Sequence, residues 1–336
     1  MKYSISILFS LLFFLQSCGQ NNKALDKEVN EILGNLYKDV KNYDQRINYH
    51  AMIFIGGCNY EVLINDFPVD RYFGEGNGAA SGSAPINRAI LKSGLQTWKI
   101  RIYPIHDIKE INGKVTMLPR NTIQEGARVE IAIEGIQFKE NGDIEKRFGK
   151  VVDFKAPLKK DDKTGKNIFA EAGKPYIEYS GTFQADVPYQ LAGWEEGEDL
   201  YKLDKSTLEK QLLNKYKEYS NWIQNRNLEK IAKSNLNSEK EESQALFYDK
   251  QTNQSIINNN YINGWGAEGL KVYPLENYKI KFFGNGKLAT LERSDYVGDP
   301  ILAGEYVNKN NKNEEMKVFY LYFYIPKGKT ELEVIR

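Results

Sequence analysis

The chain has 336 residues, a length that predicts about two domains once a targeting segment is removed. Hydrophobic residues make up 41% and charged residues 27%, which excludes an intrinsically disordered chain and a multi-span membrane protein. Lys and Arg total 46 against 45 for Asp and Glu, so no basic excess favours nucleic acid as a partner. With 2 Cys and 2 His, the chain has too few ligands for a zinc module or a His-rich metal site, and we expect no metal and no cofactor.

The amino terminus has the pattern of a signal peptide. Residues 4–15 form an apolar run behind the basic Lys2, too short for a bilayer that needs about 20 residues. The run leads into Leu15-Gln16-Ser17-Cys18-Gly19, which resembles the lipobox of bacterial lipoproteins. The resemblance implies a signal peptide over residues 1–17, cleavage before Cys18, and palmitate-type acyl chains on Cys18 that hold the protein at a membrane. A secretory signal with an incidental cysteine is the alternative.

The mature chain is expected to carry no net charge. Removal of residues 1–17 takes away Lys2 and leaves 45 basic and 45 acidic side chains, so an anchor must come from lipid rather than from charge. Residues 18–27 are polar and predict a tether. Since no acidic residue directly follows Cys18, we expect an outer-membrane lipoprotein of the cell envelope that faces the periplasm.

Two types of periodicity follow the tether. Apolar residues at helical spacing from Leu25 to Tyr43 predict an amphipathic helix, assigned to residues 28–45. Residues 49–186 then show short runs rich in β-branched and aromatic residues between turn clusters, which predicts an antiparallel β-sandwich of jelly-roll type. The predicted strands cover residues 50–55, 61–64, 97–103, 128–136, 150–154 and 177–183.

Part of this region resembles a known domain. Residues 60–66 (YEVLIND) and 83–100 (SAPINRAILKSGLQTWKI) follow the order strand, Asn turn, Pro-x-Asn, Leu-x-x-Gly, strand. Over residues 60–103 this resembles the galactose-binding-like β-sandwich domains attached to glycosidases. The resemblance implies the fold more than a ligand, because Leu95 stands where the family has a polar Asn after the glycine.

The second half changes to helices and then strands. Residues 187–202 contain Pro, Gly and acidic residues and predict a linker, and residues 203–336 predict an α+β domain of helices on an antiparallel sheet. Ser206 and Glu209 form a capping box for a first helix, residues 225–227 end it, and residues 228–235 predict a short second helix. A second capping box, Ser238 with Glu241, predicts a third helix to about residue 248. The buried stripe of the first helix is predicted as Leu208, Leu212, Tyr216, Tyr219 and Ile223. Predicted strands cover residues 278–283, 287–293, 316–325 and 330–335.

The order of helices and strands in the second half also resembles that of a known fold. Residues 222–231 (WIQNRNLEKI) lie where a long helix gives way to a short one, and meandering strands follow. Over residues 204–336 this order resembles NTF2-like and SnoaL-like α+β domains. Enzymes of that fold usually place a His or Asp inside the cone, and no His follows His106, so the resemblance implies the fold alone.

Several residue groups carry chemistry that is open to two interpretations. Cys58 could form a nucleophilic dyad with His50 or His106, although a buried structural thiol is favoured. Amides of the loop that contains Gly74, Gly76 and Gly78 could cover a ligand, although a flexible loop is favoured.

Acidic and aromatic groups are equally ambiguous. Glu195, Glu196, Glu198 and Asp199 follow Trp194 in a loop that could be a partner-facing patch, a carboxylate site for hydrolysis or a solvated segment. Alternation along residues 318–325 places Tyr320, Tyr322 and Tyr324 on one face of a strand, either to bind a sugar or partner or to pack beneath the helices.

No nucleophile, base and orienting group assemble from these residues, so a non-catalytic function is favoured over an enzyme. We expect a membrane-anchored lipoprotein that binds an envelope protein, including a secreted toxin that it would neutralise, or a glycan. The candidate binding residues are Tyr320, Tyr322, Tyr324, Trp194, Gly74, Gly76 and Gly78. The alternative is a glycan-active hydrolase that uses carboxylates such as Glu195 or Asp199.

Overall fold

A computed structural model describes residues 25–41, 43–74, 79–111, 114–139, 142–308 and 311–336. Cys18, Gly76, Gly78 and the predicted signal peptide lie outside the described residues. The described part combines helices with sheets in which every strand pair is antiparallel, so the α+β class is confirmed. No helix among the described residues has the length and apolar character needed to cross a membrane.

The first helical segment is shorter than predicted. A helix, α1, covers residues 25–33, and a single turn, α2 (Leu36–Asp39), follows after a break at Gly34 and Asn35. The prediction of a helix through residue 45 is therefore wrong beyond Asp39. The apolar face of this segment, which includes Val29 and Leu33, is buried against the helices of the second half.

The described part of the first half contains twelve strands. In chain order they are β1 (Asn48–Gly56), β2 (Asn59–Ile64), β3 (Phe67–Tyr72), β4 (Ala79–Pro85), β5 (Lys92–Tyr103), β6 (His106–Ile111), β7 (Lys114–Pro119), β8 (Arg128–Phe138), β9 (Ile144–Lys155), β10 (Leu158–Lys160), β11 (Asn167–Phe169) and β12 (Ile177–Gln190). The six predicted strands are confirmed as β1, β2, β5, β8, β9 and β12. The other six strands were not predicted.

These strands form two four-stranded sheets with the orders β4-β1-β8-β9 and β12-β5-β2-β3, and two hairpins, β6-β7 and β10-β11. One hydrophobic cluster takes buried side chains from both four-stranded sheets. Ring contacts cross between the sheets: the centroids of Trp98 and Phe154 lie 5.2 Å apart, and those of Tyr49 and Phe183 lie 6.3 Å apart. Side chains of the two sheets therefore contribute to the same hydrophobic core.

The second half opens with three α-helices and a π-helix. They are α3 (Lys205–Gln224), α4 (Leu228–Ala245), α5 (Lys250–Ile256) and the π-helix Ile257–Trp265. The predicted stripe of α3 is buried at all five positions. Its predicted cap is wrong, because Asp204 caps the helix by accepting a 2.8 Å hydrogen bond from the Thr207 N–H. The predicted second and third helices are one continuous helix, α4.

The remaining strands form two small sheets. The strands are β13 (Lys271–Val272), β14 (Tyr278–Phe283), β15 (Leu288–Arg293), β16 (Ala303–Val307), β17 (Glu314–Val318), β18 (Phe323–Tyr324) and β19 (Glu333–Val334). Their orders are β13-β16-β17 and β14-β15-β18-β19. The strands predicted over residues 278–283 and 287–293 are confirmed as β14 and β15, and the strand predicted over residues 330–335 is confirmed only at Glu333–Val334. A continuous strand over residues 316–325 is wrong, since residues 319–322 leave the ladder and separate β17 from β18.

The two halves share buried surface. Within the described ranges there are two hydrophobic clusters, one centred on the two four-stranded sheets and one on α3, α4 and the second-half strands. Yet the first cluster also contains Phe283, Leu288 and Tyr322 from the second half. In the segment predicted as a linker, Trp194 and Leu200 are 3% and 1% exposed, so this segment is anchored at two positions.

Candidate functional site

Two hairpin turns meet at the junction of the halves. The β2-β3 turn places Asn65 and Asp66 in the left-handed region, with φ of 51° and 60°, which suits a two-residue hairpin loop. The Gly284 N–H donates a 2.9 Å hydrogen bond to the Asp66 carbonyl, and the Asn285 N–H donates one of 2.9 Å to the Asp66 carboxylate. These two hydrogen bonds thus hold the turn of the β14-β15 hairpin against the turn of the β2-β3 hairpin.

A buried ion-pair cluster lies beneath these turns. The Glu61 side chain on β2 is 0% exposed and accepts from Arg71 Nη2 and Lys281 Nζ, both at 2.9 Å, and from the Tyr103 hydroxyl at 2.8 Å. Arg71 Nη2 also contacts Glu292 Oε1 at 2.7 Å. Since Lys281 and Glu292 belong to β14 and β15, the cluster joins the two halves through charge-assisted hydrogen bonds.

The charges of this cluster stabilise one another. Burial by itself would raise the pKa of Glu61, but Lys281 and Arg71 outweigh it and lower that pKa below its usual range. Burial would likewise lower the pKa of Arg71, and the carboxylates of Glu292 and Glu61 raise it instead. Both groups are therefore charged in the folded protein.

Beside the cluster, at the edge strand β3, lies a cavity of about 270 Å³ that we call the junction pocket. It is lined by Phe67, Pro68, Val69, Asp70, Arg71, Arg88, Glu242, Tyr320, Tyr322 and Arg336. The register of β3 against β2 shifts between Val62 and Leu63, which leaves Val69 without a ladder partner. Bulges of this kind bend a strand and redirect its side chains beside a site.

The three arginines of the junction pocket are held in place by different contacts. Arg71 is fixed by the ion-pair cluster and lies 5.6 Å from the Phe283 ring centroid. Arg336 donates from Nε to the Arg88 carbonyl at 3.1 Å and from Nη1 to Glu241 at 3.1 Å, and its guanidinium lies 5.3 Å from the Trp194 ring centroid. Arg88 is more open and faces Glu242 at 3.8 Å.

Four nitrogens of these arginines are buried without a hydrogen-bond partner among the described residues: Arg71 Nε and Nη1, Arg88 Nε, and Arg336 Nη2. Glu292 Oε2 is likewise unpartnered in this part of the chain. The side chains of Arg71 and Arg336 are only 9% and 2% exposed. A buried donor that makes no bond costs about 1–3 kcal/mol, and more when it is charged. The described part of the protein therefore leaves donors of the three pocket-lining arginines unused.

Two carboxylates also line the junction pocket. Asp70 accepts a 2.8 Å hydrogen bond from the Tyr60 hydroxyl, and burial raises the pKa of Asp70 above its usual range. Glu242 extends from α4 towards Arg88. Because both acids and arginines line the cavity, recognition there depends on the direction of individual donors rather than on net charge.

The predicted tyrosine face is divided by the fold. Tyr322 is 6% exposed within the first cluster and lines the junction pocket together with Tyr320, which is 43% exposed. Tyr324 is half-buried and does not line it. Phe319, Leu321 and Phe323 are buried in the second cluster, whereas the tyrosine face is divided between the first cluster and solvent.

Trp194 and Gly74 do not line the junction pocket, and Gly76 and Gly78 lie outside the described residues. Trp194 is in the first core, stacked on Phe67 with centroids 5.1 Å apart. The Gly74 N–H donates to Asn59 Oδ1 at 3.0 Å. Two of the candidate binding residues, Tyr320 and Tyr322, line the junction pocket, and its arginines were not among the candidates.

The acidic loop has structural contacts. Glu195 pairs with Lys92 at 2.7 Å near the surface, Glu198 accepts from the Gly328 N–H at 2.9 Å, and Asp199 caps a short helical turn by accepting from the Tyr201 N–H at 3.1 Å. None of the three lines the junction pocket.

Cys58 and His50 make hydrogen bonds with partners other than each other. Its thiol donates to the Gly56 carbonyl, and burial raises the pKa of Cys58 to about 12, which keeps the thiol protonated at neutral pH. His50 shares a 2.9 Å hydrogen bond with Ser83.

In the part of the chain that the structure describes, no group of three or more His, Cys, Asp or Glu side chains could hold a metal ion. Comparison of the chain with protein-family models, curated proteins and solved structures finds no match.

Proposed function

We propose that the protein is an acylated envelope lipoprotein that acts as a non-catalytic binding protein and takes its partner at the junction pocket. The anchor is proposed from the lipobox-like residues 15–19, with Cys18 as the lipid carrier in an outer membrane facing the periplasm. Binding is supported by one observation above all: the cavity is lined by three arginines whose buried nitrogens include four without a partner in the described chain.

The finer architecture belongs to the same proposal. We assign a β-sandwich domain to residues 49–186, a linker to 187–202 and an α+β domain to 203–336, with the junction pocket between them. The hydrophobic core shared by the two four-stranded sheets and the presence of a second cluster support this division. Ligand sites occur preferentially at domain interfaces, which fits the position of the pocket.

The partner is proposed to be an envelope protein, including a secreted toxin, with a glycan as the competing class. A pull-down from solubilised envelope with the acylated protein tests this, with Arg88→Gln as the pocket variant and Arg120→Gln as its matched control. Arg88 and Arg120 have similar side-chain exposures of 36% and 39%, and each faces one carboxylate. We expect one protein to be recovered with wild type and Arg120→Gln and to be depleted with Arg88→Gln. Recovery of no protein, together with binding on a glycan array, would refute the protein partner.

The anchor has a separate test. Cys18→Ala removes the thiol that would carry the lipid, and no net charge is available to replace it. We expect the variant to move from the membrane fraction to the soluble fraction on cell fractionation. Retention of Cys18→Ala in the membrane fraction would contradict the lipoprotein assignment, whatever the outcome of the pull-down.

A further inference from the structure

We propose that the junction pocket binds an oxyanion, a carboxylate or phosphate group that accepts hydrogen bonds from Arg71, Arg88 and Arg336. The inference rests on the proposed binding function and names the chemistry of the group that is bound.

The first step is the geometry of the donors. A guanidinium offers five N–H groups in a planar fork that matches the paired oxygens of a carboxylate or phosphate. Arg71 uses Nη2 for Glu61 and Glu292, and its Nε and Nη1 have no partner in the described chain. The Nε–H and Nη1–H groups point to different sides of the guanidinium, so each can donate a separate charge-assisted hydrogen bond to an oxyanion.

The second step is the convergence of three arginines on one cavity. Arg88 Nε and Arg336 Nη2 are likewise buried and unpartnered in the described residues, and both side chains line the cavity with Arg71. Arg336 is bonded to the Arg88 carbonyl, so these two residues are fixed relative to each other. Donors that are already ordered lose little conformational freedom when a ligand binds.

The third step is the chemistry of the remaining lining. Asp70 and Glu242 would repel an anion, but Asp70 accepts from Tyr60 and Glu242 faces Arg88. Nearby carboxylates offset the positive charge of the three arginines, so the long-range attraction of an anion is small. Selectivity comes instead from short-range hydrogen bonds in a buried site. A volume of about 270 Å³ accommodates one small group, such as an acidic side chain or a phosphate of a larger partner.

The experiment uses the full mature chain and three small probes: acetate, inorganic phosphate, and acetamide as the uncharged counterpart of acetate. Binding is followed by NMR of the arginine Nε–H groups and by calorimetry. We expect saturable binding of acetate or phosphate, with shifts of the Arg71 and Arg88 signals, and no saturable binding of acetamide. Preference for acetate indicates a carboxylate source, and preference for phosphate a phosphate source. Equal binding of acetamide and acetate, or saturation by neither anion, overturns the inference.

Two variants separate binding from folding. Arg71→Lys keeps the charge opposite Glu61 and Glu292 but removes the fork, and Arg88→Gln removes one donor from a more exposed position. Each should weaken anion binding about tenfold or more, since a hydrogen bond to a charged group contributes at least that factor. Arg120→Gln should bind as wild type does. Unchanged affinity in folded Arg88→Gln and Arg71→Lys contradicts the inference.

The outcome is independent of the pull-down. If a partner is recovered and depends on Arg88 while neither anion binds, the binding function stands and the oxyanion inference is wrong. If an anion binds and no partner or glycan is recovered, the oxyanion site stands and the proposed function is wrong.

Discussion

Glu239 on α4 lies in an environment that disfavours its charged form. Its Oε1 accepts a 2.7 Å hydrogen bond from the hydroxyl of Tyr261, which is fully buried on the π-helix. Burial raises the pKa of Glu239 to about 7, and the charge of Glu242 adds to the rise. The folded protein therefore keeps a proton on this carboxyl at pH values where the unfolded chain has lost it.

Glu239→Gln should reduce the pH dependence of stability. Because the pKa of Glu239 is higher in the folded protein, its stabilising contribution is complete below about pH 4.5 and is lost as the pH rises through about 7. Gln keeps an oxygen acceptor for Tyr261 and does not ionise. Between pH 5 and pH 8, we expect the Tm of wild type to fall by at least about 2 °C more than the Tm of the variant. Thermal unfolding followed by circular dichroism measures both values.

Glu229→Gln on the same helix is the control for this measurement. Glu229 is paired with Lys233 at 2.6 Å, and this hydrogen bond lowers the pKa of Glu229. A lowered pKa affects stability only at acidic pH, so this variant should follow wild type between pH 5 and pH 8. Identical slopes for wild type and Glu239→Gln would show that the carboxyl is charged in the folded protein.

At the scale of elements, sequence periodicity located strands and helices whose apolar residues alternate or recur regularly. It found β1, β5 and α3 because their buried faces are continuous. It missed β4, since AASGSAP has no β-branched or aromatic residue, and it missed the π-helix, since INNNYINGW is rich in Asn. The four-residue spacing of Ile257, Tyr261 and Trp265, all buried, was the signal that could have revealed that helix.

The β14-β15 turn provides a test of how elements are joined. Gly284 has φ of +57°, and a Cβ there would lie 2.8 Å from the indole of Trp194. Gly284→Ala therefore combines backbone strain of about 1 kcal/mol with overpacking of about 1–3 kcal/mol. We expect a loss of about 2–4 kcal/mol in the free energy of unfolding, measured by urea denaturation.

Gly165→Ala is the matched control for that turn. Gly165 also has a left-handed φ, +67°, but a Cβ there meets no atom within 4 Å. The loss should be about 1 kcal/mol, from the backbone alone. Equal losses at the two positions would mean that Trp194 does not restrict the turn.

At the scale of the whole molecule, the junction pocket could not be predicted from the sequence. Arg71, Arg88 and Arg336 lie on β3, in the segment that precedes β5, and beyond β19, and no spacing relates them. Charged residues in sequence are usually assigned to solvent, and Glu61 stands in a strand that was predicted from its apolar neighbours. The ion pairs with Lys281 and Glu292 exist only after the second half has folded against the first.

The shared core and the ion-pair cluster predict that the two halves unfold together. Trp98 reports on the two four-stranded sheets, and Trp265 reports on the helical half. In variants that keep one of these tryptophans and replace the other three with Phe, we expect fluorescence transitions in urea with the same midpoint. Glu61→Gln removes the buried carboxylate that pairs with Lys281 and one of the two that pair with Arg71, and should cost about 3–5 kcal/mol, moving both midpoints equally. Glu134→Gln, which breaks the surface pair with Arg147, should cost no more than about 1 kcal/mol. Separate midpoints for Trp98 and Trp265, or a shift of only one of them in Glu61→Gln, would show that the halves are energetically independent and that the junction pocket is not a fixed part of the fold.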